Sequence, residues 1–240
     1  MKLPQSAKAK RKEIVDQVPD FPSVPTAAVQ ARELLQDTEV DFDKLAKIIR
    51  GDQALTANLL RIANTIAFSG RRKVDTVDQA IIRLGTRHVS QMIIGLSAGS
   101  LMEKEVKGYD LGPQDLWKHA LAVGIGSEQL AQDLELEVPD LAFTAGLLHD
   151  IGKVALSTFL DADVDKIRAV AFKKNVSFHL AERVVLGIDH AELGSMLLDN
   201  WGLTDKLISV TRWHHEPDDG PGDHTLVDLV HLADAVSMQA

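Results

Sequence analysis

Five histidines and two aspartates stand where their donor atoms could do chemistry: His119, the adjacent pair His149-Asp150, His190, the adjacent pair His214-His215, and Asp234. The first pair lies in the apolar run Leu147-Leu148-His149-Asp150-Ile151-Gly152-Lys153, where burying an imidazole and a carboxylate is costly unless something satisfies them. A metal ion is one such partner. A neutral imidazole beside a carboxylate able to bridge suits a hard-to-borderline cation such as Fe, Mn or Zn. Taken alone, the heptapeptide reads equally as a helix that ends at Gly152, with His149 and Asp150 hydrogen-bonded to each other or to backbone carbonyls.

Helical periodicity places the other candidates. His190 follows Asp189, a helix cap with Glu192 three residues on as a capping box, and it begins a stripe through Leu193, Gly194, Leu197, Leu198 and Trp201. His214 and His215 lie seven residues after Leu207 and Ile208 and prolong that helix's apolar face. His119 aligns with Ala122, Val123 and Gly126, small residues that admit a close neighbour. Asp234 shares a face with Val227 and Val230 in LVDLVHLADAV, where an ionised carboxylate needs a cationic partner. A single inward histidine is satisfied by a carbonyl. Five histidines and two aspartates on five helices are hard to satisfy pairwise without a shared ion. His88, His179, His224 and His231 lie in polar or ambiguous surroundings and read as surface or structural residues.

The elements that must position these groups are helices throughout. Thr26 caps a helix carrying Val29, Leu34 and Leu35. Asp41 caps one with Leu45, Ile48 and Ile49, and Leu55, Leu59, Ile62 and Ile66 recur at helical spacing. Thr76 and Gln79 form a capping box ahead of a helix closed by Gly85, and the run from His88 to Met102 is again helical. The polar stretch Glu103 to Pro113 is the candidate boundary between two halves. Beyond it come a helix with Leu116, Ala120, Val123, Leu130 and Leu134, then one started by Pro139 that carries the heptapeptide. A polar region with helical tendency, Asp161 to Asn175, precedes helices from Ser177, Asp189, Thr204 and about His224. Nothing alternates with a period of two, so the fold class is all-α.

Composition narrows the function. The chain has 240 residues, 45% of them hydrophobic, and a net charge of −9, which argues against nucleic acid as the main partner. Two basic clusters, Lys8, Lys10, Arg11 and Lys12, and Arg71, Arg72 and Lys73, read as solvated faces. There is no cysteine, so any metal must be held by His, Asp or Glu. The N-terminus lacks the apolar core of a signal peptide, and the run Met92 to Met102 is too short to span a bilayer, so no membrane partner and a cytoplasmic location are expected. The chain stops within or just after a predicted helix, which leaves room for a longer protein.

His119, then His149-Asp150, then Asp234 resembles the H…HD…D signature of the HD metal-dependent phosphohydrolase superfamily. His190 with His214-His215 looks like the extra ligands of its dinuclear members. The segments PDFPSVPTAA, GDQALTANLLRIANTIAF and VDTVDQAIIRLG resemble the N-terminal helical part of the HDOD domain, an HD-related bacterial output domain. The resemblance implies one continuous HDOD domain: a polar lead-in over 1–18, an N-terminal helical subdomain over 19–107, and an HD-like metal-binding half over 108–240 on which that subdomain packs. It implies a signalling module, with an unknown signalling protein as partner, a nucleotide as a candidate ligand and a divalent-metal pocket. The alternative is a dinuclear phosphohydrolase acting on a nucleotide or cyclic dinucleotide. In that reading His119, His149, Asp150 and Asp234 hold one ion, and Asp150 bridges to a second held by His190, His214 and His215. The ions are Fe or Mn first, with Zn or Ni as alternatives. Asp150 and Lys153 would be the catalytic residues, Lys153 steadying charge on the phosphate or else standing as a solvated lysine. Two departures bear on this. Asp52-Gln53 stands where relatives have Asp-Pro. The segment HHEPDDGPG begins like the cyclic-di-GMP phosphodiesterases of HD-GYP type, but Asp223-His224 stand where Tyr-Pro would be.

Overall fold

A computed structural model describes the chain except residues 1–3, 22–24, 36, 38, 69–71, 161–162 and 239–240, and the side chains of 32, 139 and 140; Arg71 therefore lies outside the described residues. The described residues form α-helices with no strand, only an isolated bridge between Val106 and Leu111. Seven helices come first: α1 (Gln5–Asp16), α2 (Thr26–Leu34), α3 (Phe42–Arg50), α4 (Gln53–Ala63), α5 (Val77–Leu84), α6 (Thr86–Ser97) and α7 (Gly99–Met102). Eight follow: α8 (Asp115–Asp133), α9 (Pro139–Leu148), α10 (Ile151–Leu160), α11 (Val164–Lys174), α12 (Phe178–Leu186), α13 (His190–Asn200), α14 (Asp205–Trp213) and α15 (Thr225–Ser237). None of them is long and apolar enough to cross a membrane.

Local chemistry sets most of these boundaries. Asp41 accepts from the Lys44 amide and Asp189 from the Glu192 amide, each satisfying an otherwise orphaned donor. Thr76 accepts from the Gln79 amide, while the Gln79 side chain returns to the amide of Asp75. Gly85 ends α5 at φ 91°, a conformation that favours glycine. Other expectations change. Thr26 is the first residue of α2 and makes no side-chain cap, and the buried face of that helix is Ala27, Ala28, Ala31 and Leu34. Ile66 lies outside α4 and is exposed. The Asn64 side chain ends that helix by bonding Leu60 O and both the N–H and C=O of Val74. Leu134 falls just past α8 and is exposed. The Glu192 carboxylate turns to Arg11 and Arg212, so the Asp189 box is made from one side only.

One hydrophobic cluster runs from Ala27 to Ala233, so apolar packing is continuous across positions 107 and 108. A second joins Ile14 and Val18 to Leu156, Leu160, Ile167 and Leu186. The lead-in is thus a helix docked by Ala7 and Ile14 against the second half. Two of its basic residues are paired, contrary to the solvated reading: Lys10 with the buried Asp163, and Arg11 with Glu192 at 2.6 Å.

Candidate metal centre

The apolar run around His149 does not end a helix at Gly152. Helix α9 stops at Leu148, α10 starts at Ile151, and His149 and Asp150 occupy the corner between them, both buried. Gly152 lies inside α10, where a Cβ would stand 1.8 Å from the His190 carbonyl oxygen and 2.6 Å from the Gly194 amide. That backbone contact brings α10 onto α13 and delivers Asp150 to His190. A matching approach holds α8 to α9: a Cβ on Gly146 would lie 2.8 Å from the Cα of Gly124. It sets His119 beside His149, with ring centroids 5.3 Å apart. The small face of α8 also admits α15, where a Cβ on Gly126 would meet Ala233 at 3.4 Å.

All seven sequence candidates fall into two groups: Asp150, His190, His214 and His215 in one, and His119, His149 and Asp234 in the other. Within each group the ligand-type atoms lie within 4.8 Å of one another. Asp150 faces both. Its Oδ2 is 3.3 Å from His149 Nε2 and 3.5 Å from His119 Nε2, while its Oδ1 is 3.4 Å from His190 Nε2 and 3.7 Å from His214 Nε2. Asp234 Oδ1 lies 3.1 Å from His119 Nε2.

The outer nitrogens of the rings are already engaged. His149 Nδ1 donates to Gly146 O at 2.6 Å, His214 Nδ1 to Thr211 O at 2.9 Å, and His190 Nδ1 to Glu182 Oε2 at 2.8 Å. Ser237 gives its hydroxyl proton to Asp234 O, so its oxygen accepts from His119 Nδ1 at 3.2 Å. In their neutral forms His119, His149 and His214 therefore present a lone pair on Nε2 inward, whereas His190 Nε2 lies 2.9 Å from His215 Nε2 and donates to it in the metal-free protein. His119, His149 and His214 Nε2 and Asp150 Oδ1 are buried with no hydrogen-bond partner. Four unsatisfied buried acceptors in one place cost about 1–3 kcal/mol each. A cation satisfies all of them, and the donor set of imidazole and carboxylate fits a divalent metal.

Charge follows the same pattern. Burial works against the Asp150 carboxylate, yet the Lys153 ammonium at 2.5 Å and His149 hold it well below the usual range. Lys153 is paired, not solvated, and its Nζ also lies 5.8 Å above the Tyr109 ring. Burial pushes His214 and His215 down, with neighbouring histidines adding to the effect, so both are neutral and fit to be ligands. Burial works against charge on His190 as well, but Glu182 raises it to about 9.

Glu182 and Tyr109 were missed in the sequence. Glu182 is fully buried, accepts from both the amide and Nδ1 of His190, and takes the Tyr109 hydroxyl on its other oxygen at 2.6 Å. The spacing Phe178, Glu182, Leu186 on α12 is the signal that turns Glu182 inward; Tyr109 comes from the polar connection and carries none. His179 is not simply a surface or structural residue, since it stacks on His215 at 4.3 Å and 9°. His231 does prove structural, donating to His214 O at 2.6 Å.

Replacing Glu182 by Gln removes the anion that holds His190 protonated. In metal-free protein the His190 pKa is expected to fall by about 1–3 units, read by NMR titration of the imidazole. A histidine with a folded pKa of about 9 lends the fold its full stabilisation below about pH 6.5 and loses it as pH rises through the folded value. Urea denaturation should therefore find the variant more destabilised at pH 6 than at pH 10. An unmoved pKa would remove Glu182 as the controlling group.

An all-helical protein that gathers histidines and aspartates into a buried cluster able to hold metal is the class these features define. The chain belongs to the HDOD domain family, whose model matches residues 21–217. It is similar to a solved HDOD domain protein of unknown function from Geobacter sulfurreducens, 27% identical with a TM-score of 0.81, covering 95% of this chain and 76% of that one. A Shewanella amazonensis SB2B structure, named provisionally as a phosphohydrolase, is 26% identical with a TM-score of 0.78, covering 94% and 80%. An uncharacterized protein of Treponema pallidum (strain Nichols) is 24% identical over 224 residues, and this chain spans 92% of itself but 42% of that protein's length.

Proposed function

We propose that this chain is a signal-transduction module that binds two divalent ions, Fe or Mn first and Zn or Ni next, in its His/Asp cluster. The observation that carries the reading is the placement of Asp150 between two sets of histidines, with the Nδ1 atoms of His119, His149, His190 and His214 each held by a partner of its own. His119, His149, Asp234 and Asp150 Oδ2 would hold one ion; Asp150 Oδ1, His190, His214 and His215 would hold the other. Glu182 and the carbonyls of Gly146 and Thr211 fix the rings, and such outer partners are worth about 10–100-fold in metal affinity. Elemental analysis of protein purified without chelator tests it: about two ions per chain are expected, and none in folded protein reconstituted with iron or manganese would overturn it.

His88 provides the control. Its ring lies near Phe68 and Phe143, with centroids 6.0 and 6.3 Å away, and 3.6 Å from Glu128. The variant His88→Ala is expected to keep its metal content; a clear loss would mean that the assignment of ligands is wrong.

A second reading, phosphohydrolase activity on a nucleotide or cyclic dinucleotide, draws support from the bridging placement of Asp150 and the cation of Lys153 at its edge. Bound divalent ions supply Lewis-acid polarisation of a phosphoryl oxygen and an acidified water. The chain's own part would be to keep Asp150 ionised through Lys153, to hold His214 and His215 neutral, and to offer the Lys153 ammonium to phosphate oxygens. Metal-loaded protein is assayed against bis(p-nitrophenyl) phosphate and cyclic dinucleotides. Turnover that disappears in Asp150→Asn supports the enzyme; full metal without turnover leaves the signalling module.

A further inference from the structure

On the face of α13 away from the histidines, a concavity of about 560 Å³ is lined by Arg11, Lys174, Arg183 and Arg212, with Glu192 as its one carboxylate. The four cations outnumber the three carboxylates they touch, Glu192 in the concavity and Asp189 and Glu216 on Arg183, and this leaves a local excess of positive charge in a chain whose net charge is −9. They arrive from α1, α11, α12 and α14, so the tertiary fold and not a basic stretch of sequence assembles them. We propose that this concavity is a binding site for a phosphate-bearing small organic anion, separate from the metal centre.

The guanidinium groups are fixed in advance. Arg11 Nη2 lies 2.6 Å from Glu192 Oε1, and Arg212 Nη2 lies 3.7 Å from Glu192 Oε2, so one carboxylate steadies two cations and neutralises only one. Arg212 also stacks over the Trp213 ring at 4.4 Å, and its Nη1 is buried without a hydrogen-bond partner. Arg183 is anchored by Asp189 and by Glu216 at 2.6 Å. Planar donors held in this way suit the oxygens of a phosphate, which accept in pairs. Leu180 and Val184 line the same space and supply an apolar surface for the organic part. The volume is that of an ordinary small-molecule site. Occupancy would be felt at the metal centre, because Arg183 holds Asp189, the cap of the helix that begins with His190, and Glu192 lies two residues beyond.

The probes are inorganic pyrophosphate and ADP, titrated calorimetrically into chelator-treated full chain at fixed ionic strength. Saturable binding is expected for both, ADP the tighter. Lys174→Glu, at an exposed position on the last turn of α11, and Arg212→Gln should each weaken it by at least about tenfold. Asp150→Asn, in the metal centre, should bind both probes as the parent does. Binding that requires added metal, or that is lost in Asp150→Asn and retained in Lys174→Glu, would assign the anion to the histidine cluster and overturn the proposal. So would the absence of saturable binding. Pyrophosphate binding as tightly as ADP would overturn the role given to Leu180 and Val184. A parallel titration with added manganese tests for a metal requirement; failure of the metal reading leaves the expected outcomes unchanged, since those are read in chelator-treated protein.

Discussion

The variant Asp150→Asn is expected to remain helical by circular dichroism and to lose metal from both halves of the cluster, its affinity falling by more than about 100-fold. Its two carboxylate oxygens face different histidines, Oδ2 towards His119 and His149 and Oδ1 towards His190 and His214. Asparagine offers one neutral oxygen and replaces the other with an N–H donor, so it can serve one set at most. The same change deprives Lys153 of its partner at 2.5 Å. Breaking a buried ion pair costs about 3–5 kcal/mol, but Lys153 keeps 17% of its side chain exposed and can turn to water, which reduces the loss. Elemental analysis beside the parent protein is the measurement. Unchanged metal content would remove Asp150 from the ligand set and with it the two-ion arrangement.

Gly152→Ala is expected to lower stability by at least about 3 kcal/mol, a fall in Tm of about 6–12 °C for a chain of this size. The added methyl group would lie 1.8 Å from the His190 carbonyl oxygen. Both neighbours are backbone, so no side-chain rotation relieves the clash, and α10 must move away from α13. The separation falls on the Asp150 Oδ1 to His190 Nε2 distance of 3.4 Å, so metal affinity should drop together with Tm. Gly51→Ala is the matched control: φ there is −71° and the new methyl group would meet only carbonyl oxygens at 3.3 and 3.4 Å. A Gly152→Ala protein as stable as Gly51→Ala would show that the two helices have slack at this contact.

Much of the helical order could be read from the chain because its signals are local. Asp41, Thr76 and Asp189 cap through atoms three residues away, and the seven chemically marked residues sit on apolar stripes. The corner at His149 could not be placed, because hydrophobic periodicity runs on from Leu147 through Ile151 and the nearest glycine signal, Gly152, falls inside the next helix. The turn is set by the contact of Gly152 with His190 and Gly194, some forty residues away in sequence. Glu182 was within reach of the same stripe logic as His190. Tyr109 was not, since its position depends on a carboxylate 73 residues distant. Helix α1 hides its role differently: its sequence is mostly polar, and its docking rests on Ala7 and Ile14 together with paired Lys10 and Arg11.

The inward-facing donors come from stations between 119 and 234 and, apart from the neighbours 149–150 and 214–215, lie far apart along the chain. An unfolded chain therefore has no local chelate to offer, whereas the folded one presents the whole set at once. Any cation held there binds the native ensemble alone, and at a hundred times its dissociation constant it adds about 2.7 kcal/mol to the free energy of unfolding. If the ions proposed above are bound, metal supply would act on how long the protein survives: a cell short of the ion would hold the same chain with a larger unfolded fraction and faster turnover by proteases.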